Sequence, residues 1–177
     1  MTVFGPIPSR RLGRSLGINT IPAKACSYSC VYCQVGRTTH LQMERQPFYP
    51  PEEIVAEVAE KLSRLREKGE LVDYLSVVPN GEPTLDSNLG RTMDFLKPFG
   101  IPIAVITNAS LLWRKEVRED LAKADWVSLK LDSLREDVWH KLDRPHGKLR
   151  LSDVLDGMLA FADLFRGDLV TETMLVW

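Results

Sequence analysis

Cys26, Cys30 and Cys33 are the residues of this 177-residue chain best suited to chemistry, and they are all the cysteines it has. They fall in one segment, Cys26-Ser27-Tyr28-Ser29-Cys30-Val31-Tyr32-Cys33. Thiolates are soft donors that suit iron–sulfur clusters and zinc. Most cubane clusters take four cysteines, so a cluster held by this chain leaves one iron to a ligand from elsewhere. An open coordination position is what separates catalytic metal sites from structural ones. Other uses of the thiols fit less well. A disulfide leaves one cysteine over. A zinc site with three cysteines must recruit His40, His140 or His146, all outside the tight spacing of a zinc knuckle or ribbon.

The elements that position this segment read as alternating strands and helices. Apolar runs over residues 16–21, 71–78, 101–107, 125–132 and 169–177 predict five strands, and the near-continuous ones should be covered on both faces. A helix opens at Pro50-Pro51-Glu52-Glu53, where proline and carboxylates suit the first turn, and stops at Gly69. Further helices are expected over 85–99, 113–123 and, capped by Ser152, to about Phe165, with Trp113 and Trp139 as helix packing. Residues 1–15 and 34–50 should be irregular. This alternation means an α/β fold, a parallel sheet and one domain over 1–177. Strand-ending segments then share one edge, where such folds build their sites. A complete barrel of eight units needs about 250 residues, so the expectation is a partial (β/α) barrel cut short after its fifth strand.

Composition bounds the alternatives. Apolar residues make up 44% and charged residues 27%, with a net charge of −1, which gives no global pull toward nucleic acid or anionic membrane. No stretch approaches the roughly twenty apolar residues of a membrane span. With no apolar signal core at the N-terminus, a reducing cytoplasm is expected, where free thiols persist. Up to Met43 there are only cations: Arg10, Arg11, Arg14, Lys24 and Arg37. Arginine forks recognise phosphates and carboxylates. The turn around Arg10–Arg14 is therefore either a solvated loop or a part of the site that meets an anionic substrate.

Two more stretches carry polar groups to the same edge. Asn80-Gly81-Glu82-Pro83-Thr84 follows the second strand, and Thr107-Asn108 ends the third. On the fourth strand Trp126, Ser128, Lys130 and Asp132 share one face, and Val127, Leu129 and Leu131 the other. With helices outside, the polar set points inward, where a lysine and an aspartate are costly unless they pair with each other or with a ligand.

The cysteine spacing, with the aromatic Tyr32 before the last cysteine, resembles the radical S-adenosylmethionine (SAM) superfamily. The Asn80–Thr84 segment is similar to that family's Gly-Gly-Glu-Pro motif, with Asn80 in place of the first glycine. The arginine-rich lead into the first strand and the segment from Cys30 to Thr39 resemble the branch of Fe–S oxidoreductases related to wybutosine-synthesis, tRNA-modifying enzymes. The resemblance implies a [4Fe-4S] cluster on Cys26, Cys30 and Cys33, with SAM chelating the fourth iron. It implies SAM contacts from Tyr32, Gly81, Glu82, Pro83, Thr107, Asn108, Ser128, Lys130 and Asp132. It also implies a reducing donor of ferredoxin or flavodoxin type, and a 5′-deoxyadenosyl radical that takes hydrogen from an unidentified substrate. Two other classes stay open: a non-enzymatic iron–sulfur electron carrier, and an RNA-binding module that uses the arginine turn. Neither needs the Gly81-Glu82 motif or an inward Lys130 and Asp132.

Overall fold

The computed structural model describes residues 2–176. The chain opens with a hairpin in which β1 (Val3–Ser9) runs antiparallel to β2 (Gly13–Ile18). Expected irregular chain through residue 15 is thus corrected. β1 is the edge strand of the sheet, so Pro6 and Pro8 forfeit no hydrogen bond that a neighbour needs. The pairing slips between Phe4 and Ile7, where Pro6 sits. Gly13 enters β2 at φ 59, in the left-handed region where a side chain is strained.

After β2 comes a long loop pinned by two short strands, β3 (Ala25–Cys26) and β4 (His40–Leu41). The units then alternate: α1 (Pro51–Glu67), β5 (Tyr74–Val77), α2 (Leu89–Leu96), β6 (Ile103–Thr107), α3 (Lys115–Leu121), β7 (Trp126–Lys130), α4 (Glu136–Leu142), α5 (Leu151–Leu164) and β8 (Asp168–Glu172). The six-stranded sheet has the order β1-β2-β5-β6-β7-β8, parallel from β2 onward. This is the expected α/β architecture, with five parallel strands and an antiparallel strand added at one edge.

Several boundaries differ from the sequence reading for local reasons. The strand expected over 71–78 shrinks to β5, and Leu71 is exposed. The helix expected over 85–99 is split into a 3-10 turn at Pro83–Leu85, α2, and a second 3-10 turn at Lys97–Phe99 around Pro98. Ser152 does not cap α5: Arg150 holds that position and Ser152 lies exposed in the first turn. Trp113 is exposed beneath the Arg114 guanidinium rather than packed in a helix. Trp139 is buried, on α4, a helix the sequence did not announce. Trp177 lies outside the described residues, and β8 ends at Glu172. No helix among the described residues is long and apolar enough to cross a membrane.

The convex face of the sheet packs under the helices in one core that includes Val127, Leu129, Ile54, Val58, Met93 and Phe161. The concave face is lined separately. The hairpin turn folds back so that Leu12 packs against Ala104 and Trp126. A buried polar clamp fastens the loop after the cysteines. Arg45 donates to the carbonyls of Thr84 (2.8 Å) and Asp86 (2.9 Å) and pairs with Asp120 at 2.5 Å.

Beside that clamp, burial pushes the Asp86 carboxyl up to about 6, against a model-peptide value of 3.8, despite the nearby Arg45. A folded-state pKa above the unfolded one means that the folded protein binds the extra proton, so stability falls as pH rises from about 4 to about 6. This group alone should make the protein about 2 kcal/mol more stable at pH 4 than at pH 7. Asp86→Asn should flatten that part of the profile in urea titrations across this range.

Candidate cluster and cofactor site

The cysteine loop leaves β2 at the C-terminal edge of the sheet and is tied down by the polypeptide on two sides. On the sheet side, the Glu82 amide donates to the Ala25 carbonyl (3.0 Å) and the Gln42 amide to that of Cys26 (3.0 Å). On the other side, amides of Ser29 and Val31 donate to the carbonyls of Asp143 (2.9 Å) and Leu142 (2.8 Å), and the His146 amide donates to that of Ser27 (2.8 Å). Tyr28 is buried in the middle. Its ring meets Trp139 edge-on at 5.8 Å, and its hydroxyl accepts the indole N–H at 3.2 Å. His146, read from the sequence as a turn residue, is part of this tie and does not line the cavity below.

None of the three cysteines is in a disulfide. All three line one cavity of about 210 Å³, together with Lys24, Gly81, Glu82, Thr107, Asn108 and Lys130. Burial, then the Glu82 carboxylate, pushes the Cys26 thiol up to about 12, against the pull of the Tyr28 amide. Burial and the adjacent Asp143 raise Cys30 above the ordinary thiol range, and Cys26 adds to that rise. Thiols so placed ionise readily only beside positive charge, which is what a bound metal centre provides. Among the described residues no trio of His, Cys, Asp or Glu converges closely enough for a single ion. Ligands of a cluster each take a separate iron and need not converge. The thiols therefore fit a cluster. Beside the cavity, Ser128 is buried on β7 with no hydrogen-bond partner for its hydroxyl, an orphan that a polar ligand reaching it would satisfy.

Glu82 is the best-satisfied group at the site. One carboxylate oxygen accepts from the Thr84 amide (3.0 Å), the Thr84 hydroxyl (2.6 Å) and the Thr107 hydroxyl (2.6 Å). The other accepts from the Asn108 amide at 2.7 Å. Burial still shifts its pKa upward, against these four donors. The carboxylate is thus committed to its own chain: it joins the 3-10 turn after β5 to the end of β6. Gly81 serves packing as much as ligand approach. A Cβ there would stand 2.0 Å from the Ala25 carbonyl oxygen, so the motif and the cysteine loop touch through their backbones.

A second polar group stands across the cavity. The Asp132 side chain is buried; it accepts from the Tyr32 hydroxyl and the Met174 amide (2.8 Å), with the Lys130 ammonium at 3.6 Å. The Tyr32 hydroxyl also lies 2.8 Å from Asp143, and Lys130 sits over the Tyr32 ring at 4.8 Å. Burial, then Asp132, lifts Asp143 to about 6.

Of the residues singled out in the sequence, Cys26, Cys30, Cys33, Gly81, Glu82, Thr107, Asn108 and Lys130 share the cavity wall. Tyr32, Pro83, Ser128 and Asp132 stand behind it or beside it. Lys130 and Asp132 do pair with each other. Asp143 and Thr84 went unnoticed in the sequence. Asp143 had no local signal, since only α4 brings it to the cysteines. Thr84 had one: a hydroxyl two residues after the motif glutamate.

A family model described as the radical SAM superfamily matches residues 20–176. A UPF0026 protein of Methanocaldococcus jannaschii is 54% identical over 99% of this chain, which covers 54% of that relative. The chain thus spans about half the length of this curated relative. Among solved structures, TYW1 with a lysine-pyruvate adduct bound superposes with a TM-score of 0.56 at 15% identity, over 89% of this chain and 55% of that one. Streptococcus suis SuiB bound to S-adenosylmethionine superposes with a TM-score of 0.54 at 20% identity, over 81% of this chain and 30% of that one. At these identities the superpositions show a shared fold.

Two substitutions test how the site is held. Gly81→Ala forces the motif and the cysteine loop apart, so iron retained after anaerobic reconstitution should fall to less than half of wild type. Glu82→Ala strands four donors and should cost about 3 kcal/mol in denaturant melts, lowering iron content along with stability. Normal stability in Glu82→Ala would show that the carboxylate does not hold the frame.

Proposed function

Because the chain belongs to the radical SAM superfamily, we propose that it forms the catalytic core of a radical SAM enzyme that acts on a substrate in front of the concave face. The observation that supports this most is the sharing of one cavity wall by the three free thiols and by Gly81, Thr107, Asn108 and Lys130. An electron carrier has no use for a polar pocket beside its cluster.

In this reading Cys26, Cys30 and Cys33 hold a [4Fe-4S] cluster, and SAM occupies the cavity beside it. When bound, the reduced cluster would supply one electron to the sulfonium of SAM, which would give methionine and a 5′-deoxyadenosyl radical able to take a hydrogen atom from substrate. The protein's own residues orient and enclose. Lys130 offers an ammonium to a carboxylate, and it is held in place by Asp132 and the Tyr32 ring. The Asn108 side-chain amide donates to Ser27 (2.9 Å) and lies 3.6 Å from the Cys26 sulfur, so it steadies the first ligand. Ser128, beside the wall, holds an unpartnered hydroxyl. Glu82 and Pro83 shape the turn that carries Gly81. Asp132 and Tyr32 fix Lys130 rather than meeting the ligand first. The electron is expected to come from a ferredoxin or flavodoxin, and the reducing interior of the cell suits such a site.

EPR of the reconstituted, dithionite-reduced protein tests the reading. Adding SAM should change the g-values of the reduced cluster, and Cys33→Ala should remove the signal. Lys130→Met should keep the iron while raising the SAM concentration for half-maximal change about tenfold, the loss of one charge-assisted contact. A spectrum indifferent to SAM would favour the electron carrier.

A further inference from the structure

Beside the cofactor cavity, on the same concave face, is a second cavity that the foregoing chemistry does not use. It measures about 370 Å³ and is lined by Ser9, Arg10, Arg11, Leu12, Ile106, Trp126 and Glu172. Ile106 lines both cavities. Lys130 of the first and Glu172 of the second are direct neighbours in the β7–β8 pairing, so they stand about one strand spacing apart, ~5 Å. The unpartnered Ser128 lies on β7 between Trp126, in the second cavity, and Lys130, in the first.

The second cavity is built at both ends. On the hairpin side, the Ser9 hydroxyl accepts the Leu12 amide at 3.2 Å and lies 3.4 Å from that of Arg11, and Leu12 is buried on the floor. The turn that presents Arg10 and Arg11 is therefore anchored. On the far side, Glu172 accepts from the Arg11 guanidinium at 2.5 Å. That pair is half exposed, at 52% and 37%, and solvated pairs of this kind hold weakly. A phosphate group offers the same guanidinium more acceptors and more charge than a carboxylate. Neither arginine lines the cofactor cavity, whose cations are Lys24 and Lys130. The arginine turn thus faces the concave channel beside the cofactor and does not ring the thiols.

We propose that this cavity binds the phosphate of a phosphorylated substrate through Arg10 and Arg11, with Glu172 as the carboxylate that the phosphate displaces. The substrate assignment rests on the radical SAM reading, since it is the shared Ile106 and the neighbouring Lys130 and Glu172 that set the remainder of such a molecule next to the cofactor. The phosphate site itself rests on the cavity alone.

The test is calorimetry on the reconstituted protein with SAM, using inorganic pyrophosphate and phenyl phosphate as probes. Wild type should bind both saturably. Arg10→Ala and Arg11→Ala should each weaken binding about tenfold, while Glu172→Gln, which frees Arg11, should tighten it severalfold. Arg91→Ala, on an exposed face of α2, should change it less than twofold. A ten-residue RNA whose binding exceeds that of the small probes and drops by orders of magnitude between 50 and 200 mM salt would assign the phosphate to nucleic acid instead. The proposal is overturned by an absence of saturable binding at millimolar probe, by equal weakening in Arg91→Ala, or by weaker binding in Glu172→Gln. The EPR response to SAM is read on the same samples. If pyrophosphate binding behaves as expected but SAM leaves the cluster unchanged, the radical SAM reading fails and the phosphate site stands. The reverse result removes the phosphate site alone.

Discussion

A carboxylate taken wholly out of water is costly unless donors surround it, and Glu82 finds four, from Thr84, Thr107 and Asn108. Those donors come from the turn after β5 and from the end of β6, so one side chain fixes the relative position of two strand ends. Its backbone amide reaches a third, the cysteine loop, through the Ala25 carbonyl. Lose this anchor and the wall that carries Gly81, Thr107 and Asn108 is held against the thiols only by the Asn108–Ser27 bond and backbone ties.

The opposite wall is held by different physics. Tyr28 and Trp139 supply apolar area and an edge-to-face contact, while the carbonyls ending α4 receive the amides of Ser29 and Val31. The polar residues Tyr32, Asp132, Asp143 and Lys130 gather where these walls meet. One ammonium there faces two carboxylates, and burial, then Asp132, lifts Asp143 to about 6. The site is thus held on one side by the Glu82 carboxylate, on the other by aromatic packing, and at the seam by this polar group.

The sequence made the sheet legible because parallel strands buried on both faces read as apolar runs, and because β7 alternates Val127 and Leu129 against Ser128 and Lys130. It made the shared placement of the three cysteines and the Gly81-Glu82 turn legible through spacing. It hid the N-terminal hairpin, since Gly5, Pro6 and Pro8 resemble loop composition; only an edge position lets a strand tolerate them. It hid α4, a helix of seven residues whose burial depends on Trp139 alone. It placed Glu82 at the cavity but not the bracket that the fold makes of it. What a carboxylate touches depends on which hydroxyls the neighbouring strand delivers, and Thr107 lies 25 residues away.

The cysteine loop bears on how a metal centre would come to be built there. Backbone ties to Glu82, Gln42, Leu142 and Asp143 order it, and the Thr38 hydroxyl donates to the Tyr28 carbonyl at 2.6 Å. Bonds of this kind form without a metal, so part of the chain entropy of arranging the thiols is lost in folding itself. Small metallo-domains that collapse only around their ion lack such ties. Assembly of an inorganic centre here would draw on a scaffold that the polypeptide itself helps to hold.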